Sequence, residues 1–162
     1  VDAGVYVWNT SAGQEISALA EGYCLPYELR ASEQRSLLHA LGLPCEKIVY
    51  SRIPMMITAN CLYQTMGMCG RREEYGILKD RYRMEFPVKV NCLHCMNVIY
   101  NSVPFSLYSE ISKWKGGVDL RMDFTLESAE ETEQVLDAFI GGAPLPRWKH
   151  KATTGHEKRV VE

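Results

Sequence analysis

The chain has 162 residues and a formal net charge of −2, with 46% hydrophobic and 23% charged residues. That balance excludes intrinsic disorder and collagen-like repeats, and the near-neutral charge gives no bulk drive toward nucleic acid. No apolar run approaches the roughly 20 residues of a membrane-spanning helix and no N-terminal stretch reads as a secretory signal, so a soluble, cytoplasmic α/β protein with reduced thiols is expected, with no membrane partner.

In chain order, Val5-Tyr6-Val7-Trp8 is a β-branched and aromatic run that reads as a first strand, closed by Asn9-Thr10-Ser11. The start at Val1 rather than Met, straight into that run, reads as a piece of a longer protein lacking its N-terminal part. A short helix is expected over Glu15–Ala20, stopped by Gly22. Tyr23–Leu29 reads as a second strand, although Pro26 cannot donate to a central ladder. Ser32 caps an expected helix with Leu37, Leu38 and Leu41 on one face and Gly42 past its end. Lys47–Tyr50 begins a third strand, with a second apolar run, Met55–Ala59, beyond Pro54. Strand, helix, strand, helix, strand with short connections predicts a parallel sheet with helical crossovers over 1–59.

The pattern breaks over 60–105, which is rich in Gly, Cys, Met and charge and contains an expected antiparallel hairpin, Met84–Val90 with Asn97–Tyr100. It reads as an insertion. A helix–strand–helix segment over 106–142 follows: a helix Ser106–Lys115 with Leu107, Ile111 and Trp114 on one face, a strand Asp119–Thr125, and a helix opened by the capping box Ser128-Ala129-Glu130-Glu131. The apolar face of that last helix is Val135, Leu136, Phe139 and Ile140, and Gly141-Gly142 end it. Residues 143–162 read as a loose basic tail, solvated or able to touch phosphate backbones.

The six cysteines carry the most chemistry. Cys92 and Cys95 form a Cys-x-x-Cys pair, and Cys61 and Cys69 a second pair. Two residues between thiols let both sulfurs reach one metal from a tight turn, the spacing of zinc and iron–sulfur sites. Cys24 and Cys45 read as small buried hydrophobes. Four thiolates on one metal or cluster is the sharper reading. Six unrelated buried thiols is the plainer one, and a redox dithiol at Cys92/Cys95 lacks the strand-to-helix context of such motifs. In a parallel α/β fold ligands sit beyond the carboxyl ends of strands. That rule selects Asn9, Thr125 and Glu127 as substrate-binding candidates and Glu28, Arg30 and Asn60, together with Asp80 and Arg81, as catalytic ones; each is equally at home as a cap, turn or surface residue.

Several stretches read together: Tyr50-Ser51-Arg52-Ile53-Pro54-Met55-Met56-Ile57-Thr58-Ala59-Asn60-Cys61, Leu78-Lys79-Asp80-Arg81, Phe86-Pro87-Val88, Asn101-Ser102, Arg121-Met122-Asp123-Phe124-Thr125 and the closing Thr154-Gly155-His156-Glu157-Lys158-Arg159. In this order they resemble the U-32 peptidase family, the collagenase-like proteases of bacteria, over its C-terminal part. The resemblance implies a partial (β/α) barrel, about the last four βα units of a TIM-like barrel, with the Cys-rich hairpin inserted. It implies a peptide or protein substrate or, as in relatives that hydroxylate RNA bases or a quinone precursor, RNA or a small aromatic substrate. It also implies a four-iron, four-sulfur cluster, with Cys61 and Cys69 where the first two ligands are expected. The sequence departs from the family at Tyr75, where some relatives place a cysteine, so Cys92 and Cys95 would complete the set. Zinc in a non-enzymatic four-cysteine module is the alternative. An incomplete barrel leaves two open sheet edges, so a homodimer through those edges, or an open sheet, is expected.

Overall fold

A computed structural model describes residues 1–70, 75–114, 116–146 and 152–158. The elements are, in order, a 3-10 turn at Ala3–Val5, α1 (Thr10–Ser17), β1 (Tyr23–Cys24), α2 (Ala31–Leu41), β2 (Cys45–Ser51), β3 (Pro54–Thr58), α3 (Leu62–Thr65), β4 (Tyr75–Lys79), β5 (Glu85–Asn91), β6 (Met96–Tyr100), β7 (Phe105–Ser106), a 3-10 turn at Tyr108–Lys113, β8 (Asp119–Asp123) and α4 (Ala129–Gly141). The chain divides into two units, one of Val1–Ser51 with Phe105–Glu162 and one of Arg52–Pro104. Among the described residues no helix is long and apolar enough to cross a membrane.

The partial TIM-like barrel is not what forms. A barrel needs a run of neighbouring parallel strands, each followed by a helix. Among the described residues the strands pair parallel only as β1 with β2 and β2 with β8, beside one isolated parallel bridge, Phe105 to Thr153. Strand β7 runs antiparallel to the end of β2, and β3, the run expected to continue the parallel sheet, pairs antiparallel with β6 in a separate sheet. The architecture is mixed α/β with two small four-stranded sheets, the first of mixed direction and the second antiparallel, so that antiparallel pairings predominate overall.

In the first unit β2 is the central strand. Glu46 pairs with Cys24 on one side and Asp119 on the other, and every β2 residue except Glu46 is buried, as expected of a strand covered on both faces. One side holds Val7, Tyr23, Leu25, Leu29, Leu37, Cys45 and Trp114 in a single cluster. The other stacks Tyr50 on Phe124 (ring centroids 5.4 Å apart) and edge-on to Phe139 of α4 (6.4 Å). The helix signals act as their chemistry dictates. Ser128 Oγ accepts from Glu131 N at 3.2 Å while the Glu131 carboxylate accepts from Ser128 N at 2.8 Å, and Gly42 and Gly142 end α2 and α4 in the left-handed region, where a Cβ would be strained. The cap of α2 is Arg30, two residues before the expected Ser32, because the Glu33 carboxylate reaches back to Arg30 N at 2.9 Å.

Several expected elements differ: the helix expected over Glu15–Ala20 forms at Thr10–Ser17, and the strand expected over Tyr23–Leu29 is Tyr23–Cys24 alone. Val5–Trp8 is no strand: the Asp2 carboxylate accepts from Ala3 N at 2.7 Å and starts a 3-10 turn, Tyr6 takes φ 54°, and of the four only Val7 is buried. Of the helix expected over Ser106–Lys115, a 3-10 turn at Tyr108–Lys113 forms instead, with Leu107 and Trp114 buried and Lys115 outside the described residues. Of the closing segment, the described residues 152–158 are docked rather than loose. Ser106 N donates to Thr153 O at 2.9 Å, Ala31 N to Glu157 O at 3.1 Å, and Glu157 is buried. The basic stretch 147–151 and residues 159–162 lie outside the described residues.

In the second unit the strand order is β3-β6-β5-β4, all antiparallel. Val88 and Val90 of β5 are fully buried, and the short α3 lies so close to β4 that a Cβ on Gly76 would stand 2.9 Å from Leu62 Cδ2.

Candidate thiol site and charged clusters

The pairing of the second unit decides where its cysteines lie. Thr58, the last residue of β3, pairs with Asn97 near the start of β6. Asn91, the last of β5, pairs with Met96, and Tyr75, the first of β4, pairs with Lys89 near the end of β5. One end of this sheet therefore carries both connections of interest: the hairpin turn 92–95 and the 59–74 connection, which leaves and re-enters the sheet there. Cys61 and Cys69 belong to the second, Cys92 and Cys95 to the first. Asn97, itself buried, ties the start of the 59–74 connection to β6: its Nδ2 donates to Asn60 O at 2.5 Å and its Oδ1 accepts from Leu62 N at 3.4 Å.

Cys61 is buried and begins α3, its carbonyl accepting from Thr65 N at 3.0 Å. Cys69 and Cys95 are exposed and Cys92 half-buried. The hairpin turn is held by Asn91, whose Oδ1 accepts from His94 N at 3.1 Å, and it puts Cys95 at φ 49°. A residue with a Cβ costs about 1–2 kcal/mol in that region, where Gly or Asn would be cheaper, so the turn keeps its sulfur against local preference. The soft, all-sulfur donor set suits zinc or an iron–sulfur cluster. The side chains nonetheless do not converge: among the described residues no three His, Cys, Asp or Glu come together as a group able to hold a metal ion.

The remaining candidates divide between local structural roles and loose ends. Asn9 caps α1, its Oδ1 accepting from Ala12 N at 2.9 Å. Arg30 pairs with Glu33 at 3.1 Å on the surface. Asn60 N donates to Thr58 Oγ1 at 3.1 Å. Asp80 Oδ1 accepts from both Tyr82 N and Met84 N at 2.8 Å, closing the β4–β5 turn, and Arg81 stacks on the Tyr82 ring at 4.7 Å. Glu127 accepts from Thr125 N (3.0 Å), Leu126 N (3.1 Å) and Tyr50 Oη (3.0 Å). Burial works to raise its carboxyl, but these bonds outweigh it and hold the group below the usual range. Glu28 Oε2 and Arg30 Nε are buried without a hydrogen-bond partner, the sole loose ends among the catalytic candidates. Cys24 and Cys45 behave as inert hydrophobes, burial pushing their thiols up to about 12 and about 11.

Sequence reasoning missed a polar cluster inside the first unit. Lys47 Nζ pairs with Glu157 Oε2 at 2.9 Å and donates to Gln34 Oε1 at 2.5 Å; Glu157 Oε1 accepts from Trp114 Nε1 at 2.7 Å; Lys47 Nζ lies 4.7 Å from the centroid of the Trp114 ring. Lys47, Gln34 and Glu157 are all at least 94% buried. Burial pulls the Lys47 ammonium below its ordinary value while Glu157 pulls it back. The signal was a lysine inside the apolar run Lys47–Tyr50. A second charged group is exposed: Arg121 of β8 binds Asp123 at 2.6 Å, Asp2 at 3.0 Å and Glu46 at 3.1 Å.

The docked C-terminal segment carries a testable pH dependence. Hydrogen bonds from Lys113 and from Lys158 (2.9 Å) hold the Glu110 carboxyl down at about 2 against an ordinary 4.5. A depressed carboxyl contributes stability that is present above 4.5 and lost as pH falls from there to about 2. Urea midpoints compared at pH 5 and at pH 2.5 should fall more steeply for the parent chain than for Glu110→Gln; equal slopes would remove the role assigned to Glu110.

No protein-family model, no curated protein and no solved structure matches this chain.

Proposed function

We propose that the chain is a cytoplasmic collagenase-like protein of the U-32 peptidase type whose chemistry depends on a metal or iron–sulfur group held by Cys61, Cys69, Cys92 and Cys95. The observation that supports this reading is the pairing of the second sheet, which starts and ends both cysteine-bearing connections at one end of it. Among the described residues the thiols do not form a group of three or more able to hold a metal ion, so binding one would require the two connections to come together. Asn91 and Asn97 fix the roots of the two connections, which shortens the loops that must be ordered on binding. Bound there, an iron–sulfur cluster supplies electron transfer and zinc a fixed cross-link.

A second reading has one argument in its favour. Four thiolates on one zinc leave no open position for an activated water, so a closed set suits redox chemistry better than hydrolysis. Under that reading the chain is an oxygen-independent hydroxylase of an RNA base or a small aromatic compound. Incubating the chain with unfolded collagen-derived peptides separates the two. Under the peptidase reading, cleavage is expected for the parent chain and should be lost in Cys92→Ala/Cys95→Ala. Cleavage that survives both replacements would defeat the thiol-dependent reading; no cleavage by the metal-loaded chain would leave the hydroxylase as the better account.

A further inference from the structure

The β4–β5 hairpin ends in Arg81-Tyr82-Arg83, all exposed, with Tyr82 at 71% exposure. The turn is built without their side chains. Asp80 closes it through two backbone amides, and Arg83 N donates to Asp80 O at 3.0 Å. Arg83 nevertheless sits at φ 63°, where glycine or asparagine would be relaxed. An arginine kept at a strained tip, beside a large exposed aromatic, is an outlier that points to contact with something else. Arg81 lies flat over the Tyr82 ring at 4.7 Å, which pre-orders both groups. Lys79 at the hairpin base is already paired with Glu85 at 3.1 Å, so the charge on offer is that of the two arginines. Arginine and tyrosine are the residues most enriched at the energetic centres of protein interfaces.

The chain carries a complementary surface elsewhere. On α4, Glu130, Glu133 and Asp137 are exposed at spacings of three and four, which places them on one stripe of the helix. The same stripe ends in Ile140, 81% exposed although helical periodicity assigns it to the core face. Three carboxylates and an apolar end match two guanidinium groups and an aromatic ring.

We propose that the Arg81-Tyr82-Arg83 tip of one copy of this chain docks on the acidic stripe of α4, Glu130, Glu133, Asp137 and Ile140, of a second copy. The contact is head-to-tail, so it builds closed rings or open chains of copies. Its charge makes it salt-sensitive. This inference is independent of the thiol site.

Sedimentation velocity of the full chain over about 5–500 μM, at about 50 mM and about 500 mM salt, tests it. Concentration-dependent association is expected at low salt, weakened about tenfold or more at high salt. Arg81→Glu/Arg83→Glu should be monomeric. So should Glu133→Lys/Asp137→Lys, which leaves the Ser128–Glu131 cap in place. An equimolar mixture of the two should associate again, because reversed charges then face each other. Tyr82→Ala should weaken association about tenfold and Tyr82→Phe much less. Arg83→Gly controls for folding: it relaxes the turn, so it should melt no lower than the parent while associating less. A parent chain that stays monomeric at low salt, association untouched by Arg81→Glu/Arg83→Glu, or a variant mixture that fails to reassociate would each overturn the proposal.

Discussion

Glu157→Ala should destabilise the first unit by about 3–5 kcal/mol, the cost of leaving one partner of a buried ion pair uncompensated. Lys47 would keep Gln34 and the Trp114 ring but lose its carboxylate at a site where the side chain is 4% exposed. Lys47→Ala should cost a similar amount by stranding Glu157. Replacing both with apolar residues of similar size, Lys47→Met with Glu157→Leu, should recover most of the loss, since removing a buried pair whole is often near neutral. The recovery should stop short by about 1–3 kcal/mol, because the Trp114 indole N–H loses its acceptor. Urea denaturation of the parent, Lys47→Met, Glu157→Leu and the double variant gives the double-mutant cycle. A Glu157→Ala variant within about 1 kcal/mol of the parent would mean that the C-terminal segment is not held where the structure puts it.

Loss of the hairpin thiols should have the largest effect on the second unit. Cys92→Ala/Cys95→Ala removes two of the four sulfurs at one end of the sheet; under the proposed thiol site, metal content should fall to background, since two thiolates from the 59–74 connection cannot saturate a four-coordinate ion. Where that metal orders the 59–74 connection, its loss should also appear as faster amide exchange there, because a ligand that binds the folded form stabilises it in proportion to its occupancy. Cys24→Ala and Cys45→Ala, which alter thiols held protonated by burial, should leave metal content unchanged and report only a packing loss.

Local chemistry was legible and partner choice was not. The Ser128 capping box, the glycine stops at Gly42 and Gly142 and the β5–β6 hairpin depend on residues a few positions apart, so the sequence states them directly. Strand direction is a long-range property. Met55–Ala59 announces a strand but says nothing of whether it will lie parallel to β2 or antiparallel to β6, and the antiparallel choice removes the barrel. Ile140 fails for a related reason: periodicity puts it on the apolar face of α4, but at the last turn it stays 81% exposed. The four thiols were marked by spacing, while their common end of the sheet emerges only from register. Lys47 was hidden because its partners are 13 and 110 residues away.

The thiol proposal is tested most directly by elemental analysis and acid-labile sulfide measurement on the chain purified without oxygen, beside Cys92→Ala/Cys95→Ala. The account predicts about one four-iron cluster with matching sulfide, or about one zinc, per chain, absent from the variant. A chain that binds no transition metal, or binds it equally well without those two sulfurs, would contradict it.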